Sequence, residues 1–225
     1  ENFKYKPTTV IANNKNIMEG AAGFVSVSDG MDILDKNTMA DRSMGDVHVM
    51  GNPHINTNPL NWKIIADNIT IGLIKTDPQN KDFYMKNRDA FNDKVDRALF
   101  GDELDNMFGG ELLSKMLAGN TLFDFLNKDY QGQKLIGKLG GWLQKTNSLR
   151  GMKIITYHKN WAYFAEVFDL KILGYIEPKP GIPPSAQHVQ NMIKLIKEQD
   201  IKIMLVASYF EKKTPMMIEE KTGIK

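Results

Sequence analysis

The chain has 225 residues, of which 42% are hydrophobic and 25% are charged, a composition typical of a folded globular protein and not of a disordered one. Lysine and arginine number 29 against 27 for aspartate and glutamate, so the net charge of +2 is too balanced for a nucleic-acid-binding protein. Cysteine is absent, which excludes disulfides, zinc fingers, thiol nucleophiles and iron–sulfur clusters within this sequence. No stretch approaches the roughly 18 uncharged apolar residues that a membrane-spanning helix needs.

The first half of the chain is predicted to begin with loops and short strands and to continue as helices. The first 58 residues are rich in Asn, Gly, Ser and Asp, whereas Asn58-Pro59 and Asp77-Pro78 each combine a capping residue with a proline, the pattern of a helix start. The first of these helices is expected to bury a stripe of four apolar residues, Trp62, Ile65, Ile69 and Leu73. Residues 101–150 are predicted to be helical, with breaks at two glycine pairs.

Three short apolar runs divide the C-terminal third, at residues 152–157, 170–176 and 201–207. Such runs, rich in β-branched residues and bounded by turn residues, are typical of strands buried on both faces. Helical patterns follow each run, so the order β-α-β-α-β-α predicts a parallel sheet covered by helices on both faces. The chain ends at Ile224-Lys225, where a fourth strand is expected to begin, and we interpret the sequence as truncated there.

His54 and His158 are the histidines best placed to bind a ligand. His54 lies in a turn restricted by Gly51 and Pro53, and His158 directly follows the first predicted strand, at the sheet edge where ligands of parallel sheets bind. Two imidazoles on different elements could supply half of a four-coordinate metal site, for which Zn²⁺ is suited, as are Cu, Ni and Fe. Because a histidine in a loop is more often only solvated or hydrogen-bonded, the sequence pattern alone leaves both interpretations open.

Other polar candidates have simpler explanations. His48 could approach the site of His54 as an outer hydrogen-bonding residue, or bond to Asp46 beside it. His188 falls in the first turn of a predicted helix, where an exposed position is expected. Two further groups are interpreted structurally, one as a solvated helix face and one as core: the acidic residues Asp102, Glu103 and Asp105, and the aromatic residues Trp161, Tyr163 and Phe164.

Three motifs follow one another along the chain. They are Gly-Asn-Pro-His at 51–54, Thr-Tyr-His-Lys-Asn-Trp-Ala-Tyr-Phe at 156–164, and Gly-Tyr-Ile-Glu-Pro-Lys-Pro-Gly-Ile-Pro-Pro-Ser at 174–185. In this order they resemble the zinc/manganese cluster of substrate-binding proteins, which serve bacterial metal-ion ABC transporters. The similarity extends over nearly all of residues 10–225 and is weakest over 101–150.

The resemblance implies an α/β protein of two lobes, with parallel sheets flanked by helices and a long interlobe helix, incomplete at both ends. Residues 1–81 would form the rear part of the N-terminal lobe, residues 82–151 the bridging helix and a helical insertion, and residues 152–225 a truncated C-terminal lobe. His54 would be a metal ligand from the first lobe and His158 a ligand from the second, with His48 as a possible outer residue.

The resemblance also implies which metal is preferred. Relatives use two further ligands, a histidine early in the first lobe and a carboxylate late in the second, and neither position is present in this sequence. Manganese-type members tend to carry a carboxylate where His158 stands, so Zn²⁺ is favoured and Mn²⁺ is the alternative.

The function implied is metal capture and not catalysis. The protein would bind the ion and deliver it to the membrane permease of an ABC transporter, as a secreted monomer in the periplasm or on the extracellular face of the membrane, with or without a lipid anchor. No nucleic-acid partner is expected. Two alternatives are an adhesin-like surface lipoprotein of the same fold and a zinc-dependent hydrolase, although the sequence offers no His-Glu-x-x-His helix for the second.

Overall fold

The computed structural model describes residues 13–36, 51–179 and 181–225. The chain divides into two compact units: unit 1 comprises Glu1–Asp32 and Asn58–Ser148, and unit 2 comprises Ile33–Thr57 and Leu149–Lys225. Within the described ranges, no helix has both the length and the apolar character needed to cross a membrane. The three-part division into lobe, bridge and lobe that the sequence suggests stays a prediction.

Unit 1 is built from helices joined by short turns. Its helices are α1 (Pro59–Thr76), α2 (Lys81–Phe100), α3 (Asp102–Phe108), α4 (Gly110–Ala118), α5 (Leu122–Leu126) and α6 (Gly141–Thr146). A small antiparallel hairpin of β1 (Asp129–Tyr130) and β2 (Gln133–Lys134) lies between α5 and α6. The predicted start of α1 is confirmed, because the Asn58 side chain accepts a hydrogen bond from the Leu60 N–H and Pro59 opens the helix.

The buried face of α1 differs from the prediction. Of the four residues expected to form its buried stripe, only Ile65 is buried, whereas the other three are about two-fifths exposed: Trp62, Ile69 and Leu73. The buried positions instead include Thr70 and Gly72. Glycine is required at position 72 because a Cβ there would lie 2.2 Å from Cγ2 of Val25. The buried face of α1 thus includes a point of close packing against Val25 and does not follow the stripe of large apolar residues.

A partly buried ion pair joins α1 to α2. Lys63 Nζ donates to both carboxylate oxygens of Asp96 over 2.7 and 2.8 Å, and the Ser114 hydroxyl donates to one of them over 3.0 Å. The Lys63 and Asp96 side chains are only 16% and 9% exposed. Removing one charge of such a pair leaves its partner in a poorly solvated position without compensation.

The substitution Asp96→Asn keeps the size of the side chain and removes its charge. We expect the free energy of unfolding of unit 1 to fall by about 1–2 kcal/mol, measured by urea denaturation followed by circular dichroism. Asp93→Asn is the matched control on the same helix, since Asp93 is 53% exposed, and it should change stability by less than about 0.5 kcal/mol. Equal stability of the two variants would contradict a stabilising role for the Lys63–Asp96 pair.

Unit 2 contains a three-stranded parallel sheet. Its elements are β3 (Lys153–Thr156), α7 (Ala162–Val167), β4 (Lys171–Tyr175), α8 (Ala186–Glu198), β5 (Ile203–Leu205) and α9 (Lys213–Thr222). The strand order is β4-β3-β5, so the first strand in the chain is central and each connection contains a helix. Every strand lies within one of the three predicted apolar runs, and the predicted α/β organisation of this region is confirmed.

The core of unit 2 forms around the central strand. Ile154 and Ile155 of β3 are fully buried, and α8 adds three buried residues at helical spacing, as its sequence pattern predicts: Val189, Ile193 and Ile196. At the outer edge of β5, the Lys225 N–H donates to the Lys202 carbonyl and the Lys225 carbonyl accepts from the Met204 N–H. This is the bonding pattern of a parallel neighbour, so Lys225 bonds to the outer edge of β5.

Candidate metal centre

Both candidate histidines lie in unit 2, and their rings are in contact. His54 precedes the short helical turn Ile55–Thr57, and His158 follows β3 at the carboxyl end of the central strand. The imidazole centroids are 5.4 Å apart and the ring planes are 88° to each other, an edge-to-face arrangement. Two imidazoles on one tetrahedral zinc, with Zn–N bonds of about 2.0–2.1 Å, have centroids about 5 Å apart. The spacing of this pair therefore fits a shared ion.

A constrained turn holds His54. Gly51 has a φ of 105°, and a Cβ at this position would lie 2.4 Å from Cγ2 of Ile33, so only glycine fits. After the histidine, the His54 carbonyl accepts hydrogen bonds from the N–H and the hydroxyl of Thr57, over 3.1 and 2.9 Å. Ile55 is 5% exposed and anchors the turn in the core. The backbone is thus fixed on both sides of the imidazole, as the glycine and proline of this turn predict.

A carboxylate orients the ring of His158. The Nδ1–H of His158 donates to Oε2 of Glu177 over 2.5 Å, and the two side chains are 16% and 10% exposed. The other carboxylate oxygen of Glu177 accepts from the Gly181 N–H over 2.7 Å, which fixes the carboxylate itself. A hydrogen bond at Nδ1 leaves the lone pair on Nε2, the form of histidine that binds a metal, and a carboxylate partner makes that nitrogen more basic.

Sequence reasoning did not identify Glu177. Glu177 follows β4 as His158 follows β3, and the register pairs Thr156 with Tyr175, which places residues 158 and 177 side by side. The register shifts at an irregularity between Ile154 and Ile155, so it could not be counted from the ends of the predicted strands. The sequence contained one signal that could have identified Glu177, namely a carboxylate at the carboxyl end of a neighbouring parallel strand.

Aromatic side chains cover one side of His158. The Phe210 ring lies 5.6 Å from the His158 ring and stacks on Tyr157 at 4.5 Å. Burial, assisted by the charges of Glu211 and Glu177, raises the pKa of Tyr157, so its phenol is neutral at physiological pH. These rings keep water from one side of the imidazole, which strengthens its polar interactions.

The other candidates from the sequence do not join this pair. Nε2 of His188 bonds to the Tyr175 carbonyl over 2.9 Å, and His48 lies outside the described residues. The acidic residues of α3 form ion pairs, Asp102 with Arg97 and Glu103 with Lys138. Across the part of the chain that the structure describes, no group of three or more His, Cys, Asp or Glu side chains is arranged to hold a metal ion.

The family model and the related proteins that match this chain point to the same family. The model of the family described as ZnuA, zinc-uptake complex component A, periplasmic, matches residues 4–104 and 127–225. The high-affinity zinc uptake system protein ZnuA of Bacillus subtilis (strain 168) is 24% identical over 217 residues, which cover 93% of this chain and 53% of that protein. The manganese ABC transporter substrate-binding lipoprotein PsaA of Streptococcus pneumoniae serotype 4 (strain ATCC BAA-334 / TIGR4) is 35% identical over 74 residues, covering 33% of this chain and 22% of that protein.

The fold agrees with these matches. A crystal structure of ZnuA superposes with a TM-score of 0.58 at 24% identity, covering 89% of this chain and 58% of that one. The predicted fold class, a solute-binding protein with a parallel sheet flanked by helices, is therefore confirmed. This chain spans about half the length of the B. subtilis relative, and the residues that the family model leaves unmatched between its two segments fall within the stretch where the similarity was predicted to be weakest.

The family match also decides between protein classes. It covers most of the sequence, in two segments that include both histidine motifs. Proteins of this family are the metal-binding components of uptake systems and not enzymes, which agrees with the expectation from the sequence. The chain belongs to the ZnuA family, the periplasmic component A of zinc-uptake complexes, and so to the substrate-binding proteins of metal-ion ABC transporters.

Proposed function

We propose that the complete protein captures zinc outside the cytoplasm and delivers it to the membrane permease of an ABC transporter. The observation that carries this proposal is the contact between the imidazoles of His54 and His158, two rings from separate turns whose centroids are 5.4 Å apart. The His54 carbonyl accepts hydrogen bonds from Thr57, and the His158 carbonyl accepts one from the Thr156 hydroxyl over 2.8 Å. Such a rigid pair of nitrogen donors suits an ion that is bound and then released without chemical change.

Each histidine has a defined role in this proposal. His158 binds the ion through Nε2, because its Nδ1–H is engaged by Glu177. His54 supplies the second imidazole nitrogen, and His48 is proposed as an outer hydrogen-bonding residue. A four-coordinate zinc needs two further ligands beyond this pair, and water can fill those positions in the chain by itself.

Zinc is proposed as the cargo and manganese as the alternative. Neutral imidazole nitrogen is a good ligand for Zn²⁺, whereas Mn²⁺ prefers sites richer in oxygen. Among the relatives, the B. subtilis protein is named for zinc uptake and matches most of this chain, and PsaA is named for manganese transport and matches a third of it. We propose that the protein works as a monomer in the periplasm or on the extracellular face, with or without a lipid anchor.

Calorimetric titration of zinc into the chain tests this proposal. We expect one ion to bind per chain and a metal chelator to reverse the binding, because the two imidazoles can share only one ion. The double variant His54→Ala/His158→Ala is expected to lose this binding event. His188→Ala is the control, since its ring already bonds to the Tyr175 carbonyl, and it should bind as the unsubstituted chain does. Unchanged zinc affinity in the double variant would refute the proposed site.

A further inference from the structure

The side chain of Asn52 connects the two histidine turns. Asn52 is 4% exposed and lies two residues before His54, whose N–H donates to its Oδ1 over 3.0 Å. Its Nδ2 donates to the carbonyl of Lys159, the residue after His158, over 2.8 Å, and to Oδ2 of Asp35 over 3.0 Å. One buried amide thus bonds to the backbone of the first candidate ligand and to the backbone adjoining the second.

The orientation of this amide is fixed by its partners. An asparagine side chain has two N–H donors on one atom and an acceptor on the other, and here both atoms have matching partners. Turning the amide by 180° would set Nδ2 against the His54 N–H and Oδ1 against the Lys159 carbonyl and the Asp35 carboxylate. Only one orientation satisfies all three bonds, so the side chain acts as a spacer of defined length between the two turns.

The main chain of Asn52 is held separately. The Tyr163 hydroxyl, on a side chain that is 1% exposed, donates to the Asn52 carbonyl over 2.8 Å and accepts from the Leu34 N–H over 3.1 Å. The Asn52 N–H also donates to the Leu34 carbonyl over 2.8 Å, so Tyr163 supplies one part of the backbone contact, whereas the link between the two histidine turns depends on the Asn52 amide. Two different substitutions can remove them one at a time.

We propose that Asn52 is a positioning residue that sets the spacing of the His54 and His158 imidazoles before an ion arrives. This inference rests on the proposed function of the two histidines as zinc ligands. A site whose ligands are already in place loses less conformational freedom on binding, so affinity depends on the groups that hold the ligands. Loss of an outer hydrogen-bonding partner of a metal ligand typically costs about 10–100-fold in metal affinity, and the Asn52 amide is such a partner of the His54 backbone.

The substitution Asn52→Asp tests the inference. A carboxylate keeps the size of the side chain and can still accept from the His54 N–H, but it has no donor for the Lys159 carbonyl and it repels Asp35. We expect zinc affinity to fall by about 10–100-fold in a competition titration with a chromophoric chelator. In the metal-free chain, the imidazole NMR signals of His54 and His158 should shift, while those of His188 stay in place.

Tyr163→Phe is the matched control, because it weakens the same turn but keeps all three bonds of the Asn52 side chain. Both variants are compared where circular dichroism shows them to be folded, and Asn52→Ser, whose hydroxyl is too short to reach Lys159, replaces Asn52→Asp if the latter does not fold. A smaller loss of zinc affinity in Tyr163→Phe than in Asn52→Asp supports the positioning role. An equal loss in both would show that Asn52 contributes only to stability.

The outcomes separate this inference from the proposed function. If His54→Ala and His158→Ala weaken zinc binding and Asn52→Asp does not, the positioning role is wrong and the zinc site stands. If the histidine variants bind zinc as the unsubstituted chain does, the proposed function is wrong and the inference falls with it. Unchanged imidazole signals in metal-free Asn52→Asp would also overturn the positioning role.

Discussion

His158→Ala is expected to weaken zinc binding by more than about 100-fold. Loss of an outer partner alone typically costs about 10–100-fold, so removal of the ligand that the partner orients should cost more. Glu177 strengthens this ligand, because its carboxylate accepts the Nδ1–H of His158 over 2.5 Å and makes Nε2 a better donor to a cation. Competition titration against a chromophoric chelator at constant pH measures the zinc affinities of the variant and of the unsubstituted chain.

Glu177→Gln separates the contribution of the ring from that of its partner. The amide oxygen of glutamine can still accept from Nδ1–H, so the substitution removes the neighbouring charge and, with it, the acceptor of the Gly181 N–H. We expect its zinc affinity to lie between those of the unsubstituted chain and His158→Ala. Equal zinc affinity of Glu177→Gln and the unsubstituted chain would show that the carboxylate does not strengthen His158 as a ligand.

The local sequence made the two histidines candidates because each lies in a position with a general physical meaning, and the resemblance to the family implied their role as ligands. His158 ends a buried strand of a parallel sheet, where ligands bind, and His54 lies in a turn whose glycine has no allowed substitute. Both rules need only local sequence. The contact between the rings also required residues 51–57 to lie in the same unit as the C-terminal sheet, which the division of the chain shows and local patterns do not.

The supporting residues could not be predicted in the same way. The role of Asn52 depends on its hydrogen bonds to Asp35 and Lys159, and only the tertiary fold brings these partners close to it. Glu177 depends on a strand register that shifts at an irregularity inside β3. The sequence can thus indicate candidate ligands, while the hydrogen bonds that position these side chains appear only in the structure.

The wrong prediction for α1 has a related cause. The stripe through Trp62, Ile69 and Leu73 follows the rule that the most apolar face of a helix is buried. That rule counts apolar area and ignores how closely another segment approaches. Where Val25 lies against Gly72, the absence of a side chain is what permits burial, and a hydrophobicity pattern gives a glycine no weight.

Tyr163→Phe is expected to lower the free energy of unfolding of unit 2 by about 2–4 kcal/mol. The substitution removes only the hydroxyl, so it creates almost no cavity, but it leaves the Asn52 carbonyl and the Leu34 N–H without this partner. A buried polar group that loses its hydrogen bond costs about 1–3 kcal/mol, and two such groups are affected. Urea denaturation followed by circular dichroism and tryptophan fluorescence measures the change.

Tyr209→Phe is the matched control for this prediction. It removes the same atom from a side chain that is 72% exposed and whose hydroxyl accepts one long bond, 3.3 Å, from Asn160. We expect a change within about 0.5 kcal/mol, as for most surface substitutions. Equal effects of the two variants would mean that the turn carrying Asn52 and His54 is not held by Tyr163. A large difference would show that the fixed backbone of this turn depends on a buried hydroxyl that does not belong to the metal site itself.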